Sequence, residues 1–220
     1  LLLLLVFRDL GETKIIKKNK NTKSSASFIN LFWEAKFWGY SFTLAFSAGT
    51  FFSFLGGAPY VATKVYNLNS VVSGLVMGFP AAGYFIGNYL SGRYSKFYGI
   101  DYMALRGILL VIFGMFICLV ITVFYRDTPY FFFGLCSFVG LGNGLIIPNA
   151  SVGILSVNEN LSGTAGGIGN AIMIGTGAIL ASLTSYYLEN QSSSSYLAFI
   201  MLLSGALSYT SLYIFVLRNK

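Results

Sequence analysis

The chemistry available inside the apolar stretches of this chain is that of hydroxyl, carboxamide and aromatic side chains. Tyr40, Thr43, Ser47, Thr50 and Phe54 recur at i, i+3, i+7, i+10 and i+14, which is one face of a helix. Such a stripe can offer hydroxyls and an aromatic surface to a solute in a cavity. It can equally bond its own backbone or bridge to a neighbouring helix. Tyr84 and Asn88 share a second face, and Asn143, Asn149 and Asn170 lie in later apolar runs. A buried carboxamide must find partners, so each of these asparagines either contacts a solute or bonds across helices. These ten residues are the candidate lining of a solute cavity. Their chemistry is recognition, not bond-making. The sequence contains no histidine, which excludes His-based zinc sites, Ser-His-Asp triads and histidine proton relays within this chain. No acidic or basic residue lies well inside an apolar run, whereas ionisable groups in the bilayer mark ion and proton paths. Cys118 and Cys136 both fall in apolar runs and read as small packing residues, with no disulfide framework. No enzyme activity, metal or cofactor is expected.

The elements that must carry these residues follow from the charges. Stretches 37–63, 65–92, 107–125, 128–158, 160–188 and 190–217 contain no Asp, Glu, Lys or Arg. Each is long enough to cross hydrocarbon about 30 Å thick, which takes about 20 helical residues. Only 10% of the chain is charged and 55% is hydrophobic, where soluble domains carry about 25% charged residues. The expected fold is therefore an all-α, multi-pass membrane protein. The alternating segments of about ten residues that a β-barrel needs are not present. Residues 1–7, "LLLLLVF", have no basic flank or cleavage site and read as the tail of a preceding transmembrane helix.

Charge distribution sets the orientation. Of 14 Lys and Arg, seven lie in 8–36, which reads as a basic cytoplasmic linker, and Arg93, Lys96 and Arg106 cluster in "GNYLSGRYSKFYGIDYMALRG" (87–107). Arg218 and Lys220 end the chain, while the alternate connections hold only Lys64 and Arg126. The positive-inside rule then places 8–36, the 93–106 loop and the tail 218–220 in the cytoplasm, with a six-helix bundle over 37–217. The net charge of +7 is on this reading a topology signal and a means of contact with the lipid bilayer, with no nucleic-acid partner. "FINLFWEAKFW" (28–38) is a possible interfacial helix, with Trp33 and Trp38 suited to the headgroup level. Six spans behind a basic linker are the layout of one half of a larger transporter.

Glycine spacing predicts where helices touch. Gly163, Gly167, Ala171 and Gly175 repeat every four residues, and Gly83/Gly87 and Gly140/Gly144 repeat the same small-xxx-small pattern. Small residues on one face let backbones approach closely in lipid. Nucleotide binding is the competing reading, and neither phosphate-loop signature occurs in a strand-to-helix context. "GGAP" (56–59) is expected to loosen or end the first span, and Pro148 to permit a kink.

In order, "SFTLAFSAGTFFSFLGGAPYV", "GNYLSGRYSKFYG", "GLGNGLIIPNAS" and "AGGIGNAIMIGTGAILAS" resemble the C-terminal half of the Bcr/CflA drug-resistance transporters, drug:proton antiporters of the major facilitator superfamily. The likeness runs from about residue 35 to the end. Gly87, Arg93 and Gly99, with Lys96 as an added base, resemble that superfamily's cytoplasmic loop motif, but Ser91 stands at the motif's Asp, and Ile100 and Asp101 stand at its basic pair. The resemblance implies the C-terminal six-helix bundle of a twelve-helix fold in a cytoplasmic (inner) membrane. It also implies a small-molecule solute between two bundles, alternating access by rocking, and protons carried through the N-terminal half. Two other readings stay open: a non-transporting fragment or half-size protein that needs a partner chain, and a six-helix channel or membrane enzyme. The last is disfavoured by the absence of a nucleophile–base pair and of acidic rings.

Overall fold

The structure is a computed structural model that describes residues 30–125, 128–190 and 193–218. The expected helix tail 1–7 and most of the expected linker 8–36 lie outside the described residues. So does Lys220.

Within these limits the chain is helical almost throughout, as the unbroken apolar runs require: lipid offers no partner to a free backbone group, so each span satisfies its own. Helix α1 covers Ala35–Tyr60 and continues as a π-helical stretch, Val61–Val65. Helices α2 (Ser70–Met77) and α3 (Phe79–Tyr98) form the second span, interrupted at Gly78 with Pro80 in the first turn of α3. Then come α4 (Ile100–Phe124), α5 (Pro129–Ser156), α6 (Ser162–Asn190) and α7 (Ser194–Leu212), the last extended by a π-helical Tyr213–Leu217. Six helical segments are long and apolar enough to cross a membrane. The break expected at "GGAP" takes a different form. Helix α1 runs through Pro59 and then widens into the π-helical stretch, with Thr63 Oγ1 donating to the Pro59 carbonyl at 2.8 Å. Proline removes only the bond to the carbonyl four residues upstream, so the helix continues past it, and the widening follows at Val61.

Helices α1 and α5 form the middle of the bundle. Of the apolar window of α1, 67% is buried, and of that of α5, 56%, against 11% in α6. Helix α1 packs on α6 and α7, α5 packs on α3 and α4, the two central helices touch, and α4 meets α7. Exchanging α1 with α5, α2/α3 with α6, and α4 with α7 maps these main contacts onto one another, although α5 also touches α6 with no equal contact between α1 and α3. Each half of the exchange holds three spans, an odd number, so the two repeats have opposite orientation in the membrane, an inverted-repeat arrangement.

The central pair is antiparallel. Phe54 stacks edge-on against Phe133, Ser47 and Thr50 meet Asn143, and the ring of Tyr40 fills the space beside Gly153. Helices α3 and α5 cross at the Gly83/Gly87 and Gly140/Gly144 pairs, as their spacing predicts. A Cβ on Gly144 would lie 2.6 Å from the Tyr84 carbonyl oxygen, and one on Gly140 would lie 2.7 Å from the Pro80 carbonyl carbon. Only residues without a side chain permit that approach.

The expected packing stripe on α6 is not the one the bundle uses. Gly163, Gly167, Ala171 and Gly175 are exposed, and among the described residues nothing lies within 4 Å of a Cβ placed on any of the three glycines. The buried positions are Ala165, Gly169 and Gly177, about half a helical turn away. Ile154 and Ser41 close over Gly169, and Phe52 closes over Gly177.

Candidate functional site

The α1 stripe, one candidate cavity surface, is turned into the bundle. Thr43, Ser47, Thr50 and Phe54 are buried, as is Tyr40. Ser47 Oγ donates to Asn143 Oδ1, Asn143 Nδ2 donates to Thr50 Oγ1 at 3.2 Å, and Thr50 Oγ1 donates to the Ser47 carbonyl at 2.6 Å. Three of the ten candidates thus form one closed circuit of hydrogen bonds between α1 and α5. Burial between two helices favours such a circuit, because an unpaired carboxamide there is costly.

Asn143 also borders open space. With Phe51, Ala81, Tyr84 and Ile147 it lines a pocket of ≈ 340 Å³ between α1, α3 and α5. Phe51, Tyr84 and Asn143 each lie within about a residue of the middle of their spans, Ala35–Val65, Ser70–Tyr98 and Pro129–Ser156. The pocket is therefore at mid-membrane depth. Its wall is aromatic and aliphatic, with one phenol and one carboxamide as polar groups, a composition suited to holding and orienting a small molecule. Phe51, Ala81 and Ile147 carried no separate signal in the sequence, although Phe51 adjoins Thr50 and Ala81 lies three residues before Tyr84.

The remaining candidates are dispersed. Asn88 is half-buried one turn beyond Tyr84, and its Nδ2 donates to the Tyr84 carbonyl at 2.9 Å. Asn149 Nδ2 donates to Ser91 Oγ at 2.8 Å and to the Leu145 carbonyl at 2.6 Å, tying α5 to α3. Asn170 is exposed on α6. The α1 backbone takes further clamps: Ser208 donates to the Thr43 carbonyl, and Ser204 to the Phe46 carbonyl.

The loop motif divides by role. Gly87 belongs to the α3–α5 crossing. Gly99, at φ 85°, ends α3 and starts α4 with no intervening loop, a conformation that a side chain would resist. Arg93 and Lys96 are exposed, with Arg93 Nη1 3.4 Å from the Tyr89 hydroxyl. Ser91, at the motif's Asp position, is buried and bonded to Asn149.

Asp101 is the site residue that the sequence reading missed. It is 9% exposed in the first turn of α4, and the Tyr40 hydroxyl donates to its Oδ1 at 2.6 Å. The tyrosine ring lies against Gly153, so one side chain pins α1 to α4 and α5 together. The N-terminal end of α4 favours a carboxylate at that position. The available signal was a lone acid two residues after a helix-ending glycine.

Among the described residues, six helices long and apolar enough to cross a membrane, with a pocket near the middle of three of them, are the make-up of a multi-pass membrane protein of transporter type. Residues 1–182 match the family description Major Facilitator Superfamily. The chain belongs to that superfamily and is a membrane transporter by fold and family. No curated protein matches it.

Proposed function

We propose that this chain forms the C-terminal six-helix half of a Bcr/CflA-type exporter, which moves small amphipathic solutes outward against protons by alternating access. The observation that carries the reading is the pocket at mid-membrane depth, with Tyr84 and Asn143 as its polar groups among Phe51, Ala81 and Ile147. An aromatic, weakly polar surface suits molecules with an apolar body and few hydrogen-bonding groups. The clustering of Arg93, Lys96 and Arg106 supports a cytoplasmic position for the α3–α4 joint. In this reading the titrating carboxylate is in the other half, and the bundle's part is to hold the solute and rock against its partner.

The test is transport by the intact protein in vesicles under an imposed pH gradient, with a fluorescent amphiphilic cation as solute. Movement of the cation opposite to the protons is expected. Tyr84→Leu is expected to shift preference between a hydrogen-bonding amphiphile and its apolar analogue about fivefold, the worth of one hydrogen bond. No movement under any gradient removes the antiport reading. Movement with unchanged preference in Tyr84→Leu removes the pocket from the solute path.

A further inference from the structure

Helices α3 and α4 make few contacts with each other, since both pack on α5. Between them lies an open groove of ≈ 450 Å³, lined by Leu90, Tyr94, Tyr98, Tyr102, Met103 and Leu145. Its rim is a ladder of rings across the α3–α4 joint: Tyr94 and Tyr98 are 6.3 Å apart, and Tyr98 stacks on Tyr102 at 5.4 Å. Arg106 completes the ladder, its guanidinium carbon 4.9 Å above the Tyr102 ring. Its backbone is seven residues beyond Gly99, about 10 Å along α4, and its guanidinium reaches back over Tyr102 toward the joint. That is the depth at which headgroups give way to acyl chains if the joint lies at the membrane surface.

The charges around the groove are unbalanced. Arg93, Lys96 and Arg106 are all exposed, and the only acid in α3 or α4, Asp101, is buried and bonded to Tyr40. Among the described residues no carboxylate pairs with Arg106. A cation near the bilayer interface, beside an apolar groove, is complementary to a phosphate carrying an acyl chain.

We infer that the α3–α4 groove binds one anionic phospholipid, its phosphate at Arg106 and its acyl chain along Leu90, Met103 and Leu145. The tyrosines supply ring faces to the chain and hydroxyls at headgroup level, the usual position of interfacial aromatics. The site is separate from the mid-membrane pocket and holds whichever solute the protein carries.

The test uses the intact protein, purified in mild detergent and equilibrated with equal amounts of phosphatidylglycerol and phosphatidylcholine with matched acyl chains. Native mass spectrometry counts the lipid retained per protein. A preference for phosphatidylglycerol of about fivefold is expected, the effect of one basic residue near anionic lipid. Arg106→Gln, at an exposed position that tolerates the change, is expected to abolish the preference, while Lys96→Gln leaves it. Leu90→Trp, which fills the groove, is expected to lower retention of both lipids. Equal retention of the two lipids by the native protein overturns the inference, and so does an equal loss in Arg106→Gln and Lys96→Gln, which would reveal diffuse surface attraction.

Discussion

Buried hydroxyls in α1 differ in what they do, and the difference is measurable. Asn143 holds both Ser47 and Thr50, so Asn143→Leu leaves two hydroxyls facing an apolar side chain at the centre of the bundle. Among the described residues Thr43 Oγ1 finds no hydrogen-bond partner, and valine has nearly the same shape. Interhelical hydrogen bonds in membrane proteins contribute about 0.6 kcal/mol on average and up to about 1.7. Asn143→Leu is therefore expected to destabilise the purified protein by about 1–2 kcal/mol. Thr43→Val, which removes an unsatisfied group, is expected to be neutral or slightly stabilising. Thermal unfolding of the two variants side by side checks both. Equal losses would mean that the Asn143 circuit contributes nothing specific. Sequence spacing made it legible that Tyr40, Ser47, Thr50 and Phe54 share a face. It could not say what that face meets, because a cavity and a partner helix require the same hydroxyls. The answer came from α5, which presents Gly153, Asn143 and Phe133 at matching heights. The Tyr40–Asp101 bond was hidden for a similar reason: its partners are 61 residues apart, and nothing local to either names the other.

Among the helices, glycine spacing was a sound guide in one place and misleading in another. At Gly83/Gly87 and Gly140/Gly144 the four-residue spacing marks the faces that meet, while Gly142 between the latter pair faces Gly107 and Val111 of α4 instead. Along "GTAGGIGNAIMIGTGA" (163–178) small residues occur on nearly every face. Periodicity then does not choose between 163/167/171/175 and 165/169/177. The choice falls to the neighbours, since Ser41, Phe52 and Ile154 close over the second set. Substitution should read out this difference. Gly140→Ala puts a methyl group against the Pro80 backbone, which cannot move without shifting α3. A loss of about 1–3 kcal/mol is expected, the usual cost of overpacking. Among the described residues Gly167→Ala meets no atom within 4 Å, and it replaces glycine by a better helix former, so its unfolding midpoint should stay level or rise. A loss at Gly167 comparable to that at Gly140 would mean that the exposed α6 face is packed in the intact protein.

For the whole molecule, the pairing of α1 with α5 at the centre and the inverted repeat around them give a bundle whose two ends are chemically unequal. The joint between α3 and α4 carries Arg93, Lys96 and Arg106, while the connection before α2 carries Lys64. Lys64 precedes the Ser70–Tyr98 span and Lys96 lies in its last turn, so they emerge on opposite sides of the membrane. Three bases against one favour retention of the α3–α4 end in the cytoplasm. The native thiols do not interfere with a labelling test, because Cys118 and Cys136 are fully buried. Single cysteines at Lys64 and Lys96, both exposed positions, report the sidedness directly. A membrane-impermeant maleimide is expected to label Lys64→Cys in intact cells, and Lys96→Cys only in inverted vesicles. The opposite pattern would put the basic joint outside. The orientation argued from charge would then fail, and the lipid groove would face the outer leaflet. Labelling of both from one side would contradict the span between them, and with it the six-helix topology on which the inverted repeat depends.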